Sequence, residues 1–349
     1  MMVSDIQFVQ DEHADTGELP PPYTEYDHQV FESPRTLHST DMSTSHKDGI
    51  IVAHQLLQPK QTGIKIAFDG FCKTIFTIRP DIDGKYQGLI LKLFELVVRM
   101  PSNSQLVIRD IMTGTLGRLD VAVIQGSADI RSVSINSMRV AMGDGAICAR
   151  NIYATKDAEF VSICGTIELR DCSAAKTLGT KTKSADIYIH RAKASQVNIE
   201  GSTRPTQARF IEAESLQVRS NSGDVTVECD VADLKIQTRS GSIHGTWNVS
   251  RSLDLYAASA IINGDCRILG DCVRASVMSR DWPISLNIDQ KYAGHYDVKA
   301  QNSVARFDLP RGTRYEDHPH WCQGVIGVSG NTLNVEGVNA PVVVSSSAL

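Results

Sequence analysis

The stretch RSNSGDVTVECDVADLKIQTRSGSIHG, residues 219–245, states one pattern twice, with its Ser-Gly pairs eighteen residues apart. An alternating apolar run leads into Ser-Gly, then a small or acidic residue, then Val or Ile. Anchored on Ser222-Gly223, the same slot is filled downstream by Ser240-Gly241 and Ser259-Ala260, and upstream by Ser184-Ala185, Cys164-Gly165, Asp144-Gly145 and Ser127-Ala128. The steps are 17, 20, 20, 38, 18 and 19, and the doubled one has its missing member in GSTRP, residues 201–205. A period of about nineteen residues from roughly 120 to 265 is the signature of stacked repeats. In each unit an apolar-x-apolar pair lies on either side of the turn: Leu216 and Val218 before Val225 and Val227, Leu234 and Ile236 before Ile243, Leu253 and Leu255 before Ile262. Period two puts these side chains on one face of each strand. A single unit cannot bury such a row, so units stack in parallel, each pairing its backbone with the units above and below. The small corner residue leaves room for the next rung.

This reading gives an all-β fold, a parallel β-solenoid of about 19-residue rungs with a disordered N-terminal tail. The competing architecture is an antiparallel sandwich with hairpins every 8–12 residues, which does not require a fixed repeat. GLILKLFELVVRM, residues 88–100, reads as a helix face or as a strand running into the RMPSNSQ turn, and the strand is preferred. The body spans residues 48–345, with Ile243 in its interior beside Val225 and Ile262. A short C-terminal tail covers 346–349. Residues 1–47 are rich in acid, Pro, Ser and Thr and lack any period that would bury a face, so they are expected to be disordered.

Charge is unevenly placed. Residues 1–47 hold nine Asp or Glu against Arg35 and Lys47, leaving 33 basic and 31 acidic residues beyond. A near-neutral body has no clustered excess of Lys and Arg to drive nucleic-acid binding. The eight cysteines, Cys72, Cys148, Cys164, Cys172, Cys229, Cys266, Cys272 and Cys322, include no C-x-x-C pair and read as buried, reduced thiols. No secretory leader is visible, and the longest apolar stretch is broken by Lys92, Glu95 and Arg99. A soluble cytoplasmic protein without a transmembrane segment is expected.

LFELVVRMPSNSQLVIRDI, LDVAVIQGSADI and the repeated Ser-Gly units resemble the adhesin-type β-solenoid domains, whose fungal members carry proline-rich acidic tails. YAGHYDVKAQNSVARFDLP and GVIGVSGNTLNVEGVNAPVVV are similar to the way such domains close. The resemblance covers roughly residues 48–345 and implies a fold; the family's name implies surface adhesion, which the missing leader opposes.

Candidate chemistry is sparse. His318, His320 and Cys322 alternate and on one strand would share a face, but no fourth metal ligand follows, so neither a metal nor any other cofactor is assigned. Ser222, Ser240 and Ser259 repeat at corners and read as turn chemistry, with no nucleophile elbow or placed histidine. Lys181, Lys183, Arg219, Lys235, Arg239 and Arg274 lie beside the apolar positions; stacked about 5 Å apart they would form a basic ladder for an anionic polymer or lipid surface, or a solvated face. Pro20, Pro21, Pro22 and Tyr23 in LPPPYTEY fit the P-P-x-Y ligand of WW domains, whose groove takes a polyproline II segment. These features favour a non-enzymatic interaction or scaffold protein that recruits a WW-domain partner such as a ubiquitin ligase. A surface adhesin or polymer-binding protein is the alternative. A β-helical polysaccharide-active enzyme is a further one, for which Asp224 and Glu228 lack the recurrence a catalytic carboxylate set would show.

Overall fold

The computed structural model describes residues 117–308 and 313–347 and, before them, six strands. The strands are β1 (Ser43–Lys47), β2 (Ile50–Leu56), β3 (Gly63–Ala67), β4 (Lys73–Arg79), β5 (Glu95–Met100), β6 (Ser104–Ile111), β7 (Arg118–Asp144), β8 (Ile147–Ser162), β9 (Ile167–Ala174), β10 (Thr177–Thr182), β11 (Ile187–Glu200), β12 (Thr206–Ser220), β13 (Val225–Thr238), β14 (Ile243–Ala257), β15 (Ile262–Ile268), β16 (Arg274–Ser279), β17 (Ile284–Asp289), β18 (Gly294–Ala300), β19 (Ala305–Asp308), β20 (Thr313–His318), β21 (Trp321–Ile326), β22 (Thr332–Gly337) and β23 (Val342–Ser347). Every described element is a strand, and residues 95–100 of the ambiguous segment are strand β5. The expected tail lies outside the described residues apart from β1, which takes its last five, and β23 runs two residues past 345.

Each rung has a front and a back strand, and successive rungs pair in parallel. On the front, Ala128 pairs with Ile147, Ile147 with Ile167, and Ile167 with Ile187. The column continues through Thr206, Val225, Ile243, Ile262 and Ile284. On the back, Leu178 pairs with Val197, Val197 with Leu216, and Leu216 with Leu234. Ile243 sits between Val225 and Ile262 as the repeat requires and is fully buried. The inward side chains form one continuous apolar cluster from Leu106 to Val344. Stacking satisfies both requirements of a parallel sheet: neighbours take up the backbone groups, and the rungs bury each other's apolar rows.

The corners explain the repeat. A Cβ on Gly145 would stand 1.5 Å from the Gly126 carbonyl oxygen, and one on Gly165 would stand 1.5 Å from that of Gly145. The corner beneath Gly145 is therefore Gly126, two residues before the expected Ala128, which instead pairs inside the strand with Ile147. The missing corner is Arg204, whose carbonyl oxygen would lie 1.9 Å from a Cβ on Gly223. The polar insertion thus fills its rung. The turn hydroxyls that cap these corners are not Ser222 and Ser240, which are exposed, but residues three before the small one. Ser162 accepts from the Gly165 amide at 2.8 Å, Thr182 accepts from the Ala185 amide at 3.2 Å, and Ser220 donates to the Gly223 carbonyl at 2.7 Å. Thr238 donates likewise to Gly241.

At the C-terminal end, spatial and sequence order part. β22 lies between β16 and β18, with Thr332 opposite both Arg274 and His295, and β23 lies between β17 and β19. The chain builds a rung one slot ahead, adds the hairpin β20–β21 antiparallel to β18, and returns to fill the gap. Asn331, 4% exposed, fixes the returning rung. Its Oδ1 accepts from the Val273 amide at 2.7 Å, and its Nδ2 donates to the Ala293 carbonyl at 2.9 Å. Antiparallel strands thus close the stack here, as β1 on β2 does at the other end, which limits the open edge available for aggregation.

A candidate binding face: the arginine column

Five front strands in succession bend at the same place. Ser132, Asn151, Asp171, Arg191 and Phe210 stack in register, each with φ between 53° and 59°. In a non-glycine residue this conformation costs about 1–2 kcal/mol, and a bulky Phe there is uncommon. The bend interrupts strict alternation: inward Ala149 and Ile152, Leu169 and Cys172, and Ile189 and Ala192 are separated by two residues, both facing outward. The bend ends after Phe210, where the pairing of β12 with β13 shifts between Ala208 and Ile211.

The outward residue just before the bend is basic in all five rungs: Arg131, Arg150, Arg170, His190 and Arg209. Arg131 lies opposite Arg150, Arg150 opposite Arg170, Arg170 opposite His190, and His190 opposite Arg209. At about 4.8 Å per rung the column is about 19 Å long. Its counter-charges are fewer than its charges. Asp129 accepts from Arg131 Nε at 2.7 Å, and this hydrogen bond raises the guanidinium pKa. Glu168 Oε1 is shared by Arg170 Nε at 2.6 Å and Arg150 Nη2 at 3.5 Å, while Arg150 Nε is buried without a hydrogen-bond partner. Glu228 stands 3.6 Å from Arg209 at the end of the column. Aromatic side chains complete the face: Phe210 is 57% exposed and meets His190 edge-on at 5.2 Å, and Tyr188, also exposed, shares the outward side of its strand with His190. Beyond Arg209 the same column reads Glu228, Thr246, Asp265 and Asn287.

The expected basic ladder does not form. Lys181 and Arg219 share a back column, but Glu200 lies between them and ion-pairs with Lys181 at 2.7 Å. Lys235 belongs to a different column and pairs with Asp254 at 2.8 Å, and Arg274 stands in a third, opposite Ser252. Lys183 and Arg239 are at corners. Register decides this, because the six residues sit at different offsets from their corners. In sequence each residue of the true basic column directly follows the second inward position of its front strand, but the varied strand starts and the irregular steps of 19 and 20 hide the column until the register is known.

His318, His320 and Cys322 do not share a strand. His318 ends β20, His320 is in the hairpin turn and both are exposed, whereas Cys322 points into the core from β21. Among the described residues no group of three or more His, Cys, Asp or Glu is placed to hold a metal. Of the seven described cysteines, Cys172, Cys229, Cys266 and Cys322 are buried as expected, and burial pushes the Cys172 and Cys266 thiols up to about 12. Cys164 and Cys272 are exposed, because each lies in a turn rather than at an inward strand position. Asp224 accepts from the Ser242 amide of the next rung at 2.8 Å, and Glu228 faces Arg209, so the two carboxylates serve separate contacts. Among the described residues no helix is long and apolar enough to cross a membrane. Pro20 to Tyr23 lie outside the described residues.

The profile of the Toastrack DUF4097 family matches residues 165–303. The chain is therefore similar to that family from the third corner to the end of β18, a stretch holding three of the five bends and the change to straight rungs. Parallel strand pairing continues on both sides of it. No curated protein matches the chain, and no solved structure matches it.

Proposed function

We propose that the chain is a non-enzymatic interaction scaffold, a rigid solenoid that presents the arginine column to a macromolecular partner while Pro20-Pro21-Pro22-Tyr23 recruits a WW-domain protein such as a ubiquitin ligase. The observation that carries the reading is the unbroken run Arg131, Arg150, Arg170, His190, Arg209 in one outward column with exposed Tyr188 and Phe210 beside it. Arg and aromatic residues are the types enriched where proteins meet. Parallel rungs packed through a continuous core provide the fixed spacing that such a face needs. A polysaccharide-active enzyme would require two carboxylates poised across a bond, and Asp224 and Glu228 are spent on contacts within the stack. The protein is assigned to the cytoplasm, where exposed thiols such as Cys164 and Cys272 persist in reduced form.

Proximity labelling in cells tests both elements together. The wild-type chain is compared with a variant carrying Gln at Arg131, Arg150, Arg170 and Arg209, and with Tyr23→Ala. Each variant should lose a different set of neighbours. Labelling patterns identical to wild type in both would overturn the scaffold reading.

A further inference from the structure

We infer that the arginine column is a docking track for one class of partner: an extended polypeptide segment with Asp or Glu at alternate positions and an aromatic or large apolar side chain at one end, laid along the stacking axis. The inference rests on the scaffold reading above and specifies its ligand.

Three features of the face select this ligand. The first is length and pitch. The column spans about 19 Å, and an extended chain advances about 3.3 Å per residue with alternate side chains on one side, so about six residues cover it and about three acidic side chains face it. Each carboxylate can take the two parallel N–H donors of a guanidinium. The second is the pattern of charge. Glu168 is shared between two arginines, so the guanidinium donors along the column outnumber the acceptors the protein itself supplies. Yet Asp129 and Glu168 stand within the track. A polyanion with a fixed charge on every unit, such as a nucleic acid or a sulfated glycan, meets repulsion at both. A polypeptide can place a neutral or hydrogen-bond-donating side chain opposite them. The third is the change in character along the column. At the last two bent rungs an aromatic group lies beside the column, the edge-on pair of His190 and Phe210 with Tyr188 next to it, while Arg209 ends the basic run. That end takes an apolar or aromatic side chain, and Glu228 and Asp265 beyond it turn a further acidic residue away. The track is therefore polar in direction as well as in charge.

The test uses the full chain and a fluorescein-labelled heptapeptide, Glu-Ser-Glu-Ser-Glu-Ser-Tyr, followed by fluorescence anisotropy. Binding should weaken roughly tenfold or more when the three Glu become Gln, as loss of charge-assisted hydrogen bonds requires, and should fall with added salt. Arg150→Gln combined with Arg170→Gln should produce a similar loss, Phe210→Ser a few-fold loss, and Lys235→Gln on the back face none. The Glu-to-Gln comparison leaves the protein unchanged, so it decides the matter even if the double variant unfolds. Equal binding of the Glu and Gln peptides, or no binding of either, overturns the inference. So does an oligonucleotide or heparin fragment of equal charge that binds more tightly than the peptide with the same dependence on Arg150 and Arg170. Column-dependent labelling in cells combined with failure of the peptide would leave the scaffold reading standing and remove only this ligand.

Discussion

The bent rungs of residues 126–213 and the straight rungs of residues 225–289 share one core, one corner design and one stacking pitch, yet they differ by a single residue in each front strand. In the bent half two residues separate the central inward pair, as with Ala149 and Ile152; in the straight half one residue does, as with Val227 and Cys229. The extra residue must adopt the left-handed conformation, and its return is a second outward column beside the first. Arg191 and Phe210 stand in that added column. The straight half avoids this strain and uses its regular interior differently. Fully buried Trp247 fits because a Cβ on Gly245 or Gly264 would come within 2.6 Å of its ring. One half thus gains surface chemistry at a cost in backbone energy, whereas the other fills its core with the largest buried side chain of the described residues.

The sharpest way to break this comparison is to remove the residue that distinguishes the halves. Deleting Phe210 leaves Ala208, Ile211 and Ala213 facing inward, so the rung becomes straight and stability should stay within about 1 kcal/mol of wild type. Deleting Glu228 turns Cys229 and Val231 outward and Asp230 into the core, which should cost about 3 kcal/mol or more. Urea denaturation of both variants measures the difference, and equal losses would show that the bend is not an inserted residue.

A smaller effect separates the halves by sign. Phe210→Gly relieves left-handed strain and should raise stability by up to about 1 kcal/mol, less whatever the ring contributes against His190. Glu228→Gly, in regular strand, should lower it by about 0.5–1 kcal/mol. Thermal melts that shift both variants in the same direction would contradict the assignment of strain.

The smallest contrast is with pH. In the straight half the hydrogen bonds from Arg251 hold the Asp233 carboxyl below the usual carboxylate range, whereas in the bent rungs the same back-strand column carries Ser137, Asp157, Thr177, Gln196 and Ser215, with no ion pair on Asp157 among the described residues. A folded pKa below the unfolded one means that the stabilisation is present above about pH 4 and fades as pH falls through the lower, folded value. Hydrogen exchange on acidification should therefore rise first at residues 252–257, and Asp233→Asn should remove the pH dependence there. Loss of protection at the same pH in the bent rungs would refute it. The pair is largely exposed, so the effect is modest.

Much of this was legible in sequence. The period near nineteen, the inward positions of Val225, Ile243 and Ile262 and the small corner residues follow from local alternation and from the exclusion of a Cβ where rungs meet, both of which act over a few residues. The Ser or Thr three before four of the corners was equally visible, in Ser162, Thr182, Ser220 and Thr238, but was masked by the more conspicuous serines at Ser222 and Ser240. What tertiary structure alone decided is which outward side chains share a column. One residue more or less at a bend or corner leaves the inward pattern nearly intact but moves every outward residue after it to a new place, so Lys181, Lys235 and Arg274 scatter while Arg131, Arg150, Arg170 and Arg209 align. It also decided the order of the last rungs, because the slot that β22 and β23 fill is defined by strands placed before and beyond it. Sequence set the repeat because each rung must bury its own apolar row; only the stack could set the face, because a face is made of residues that never meet within one rung.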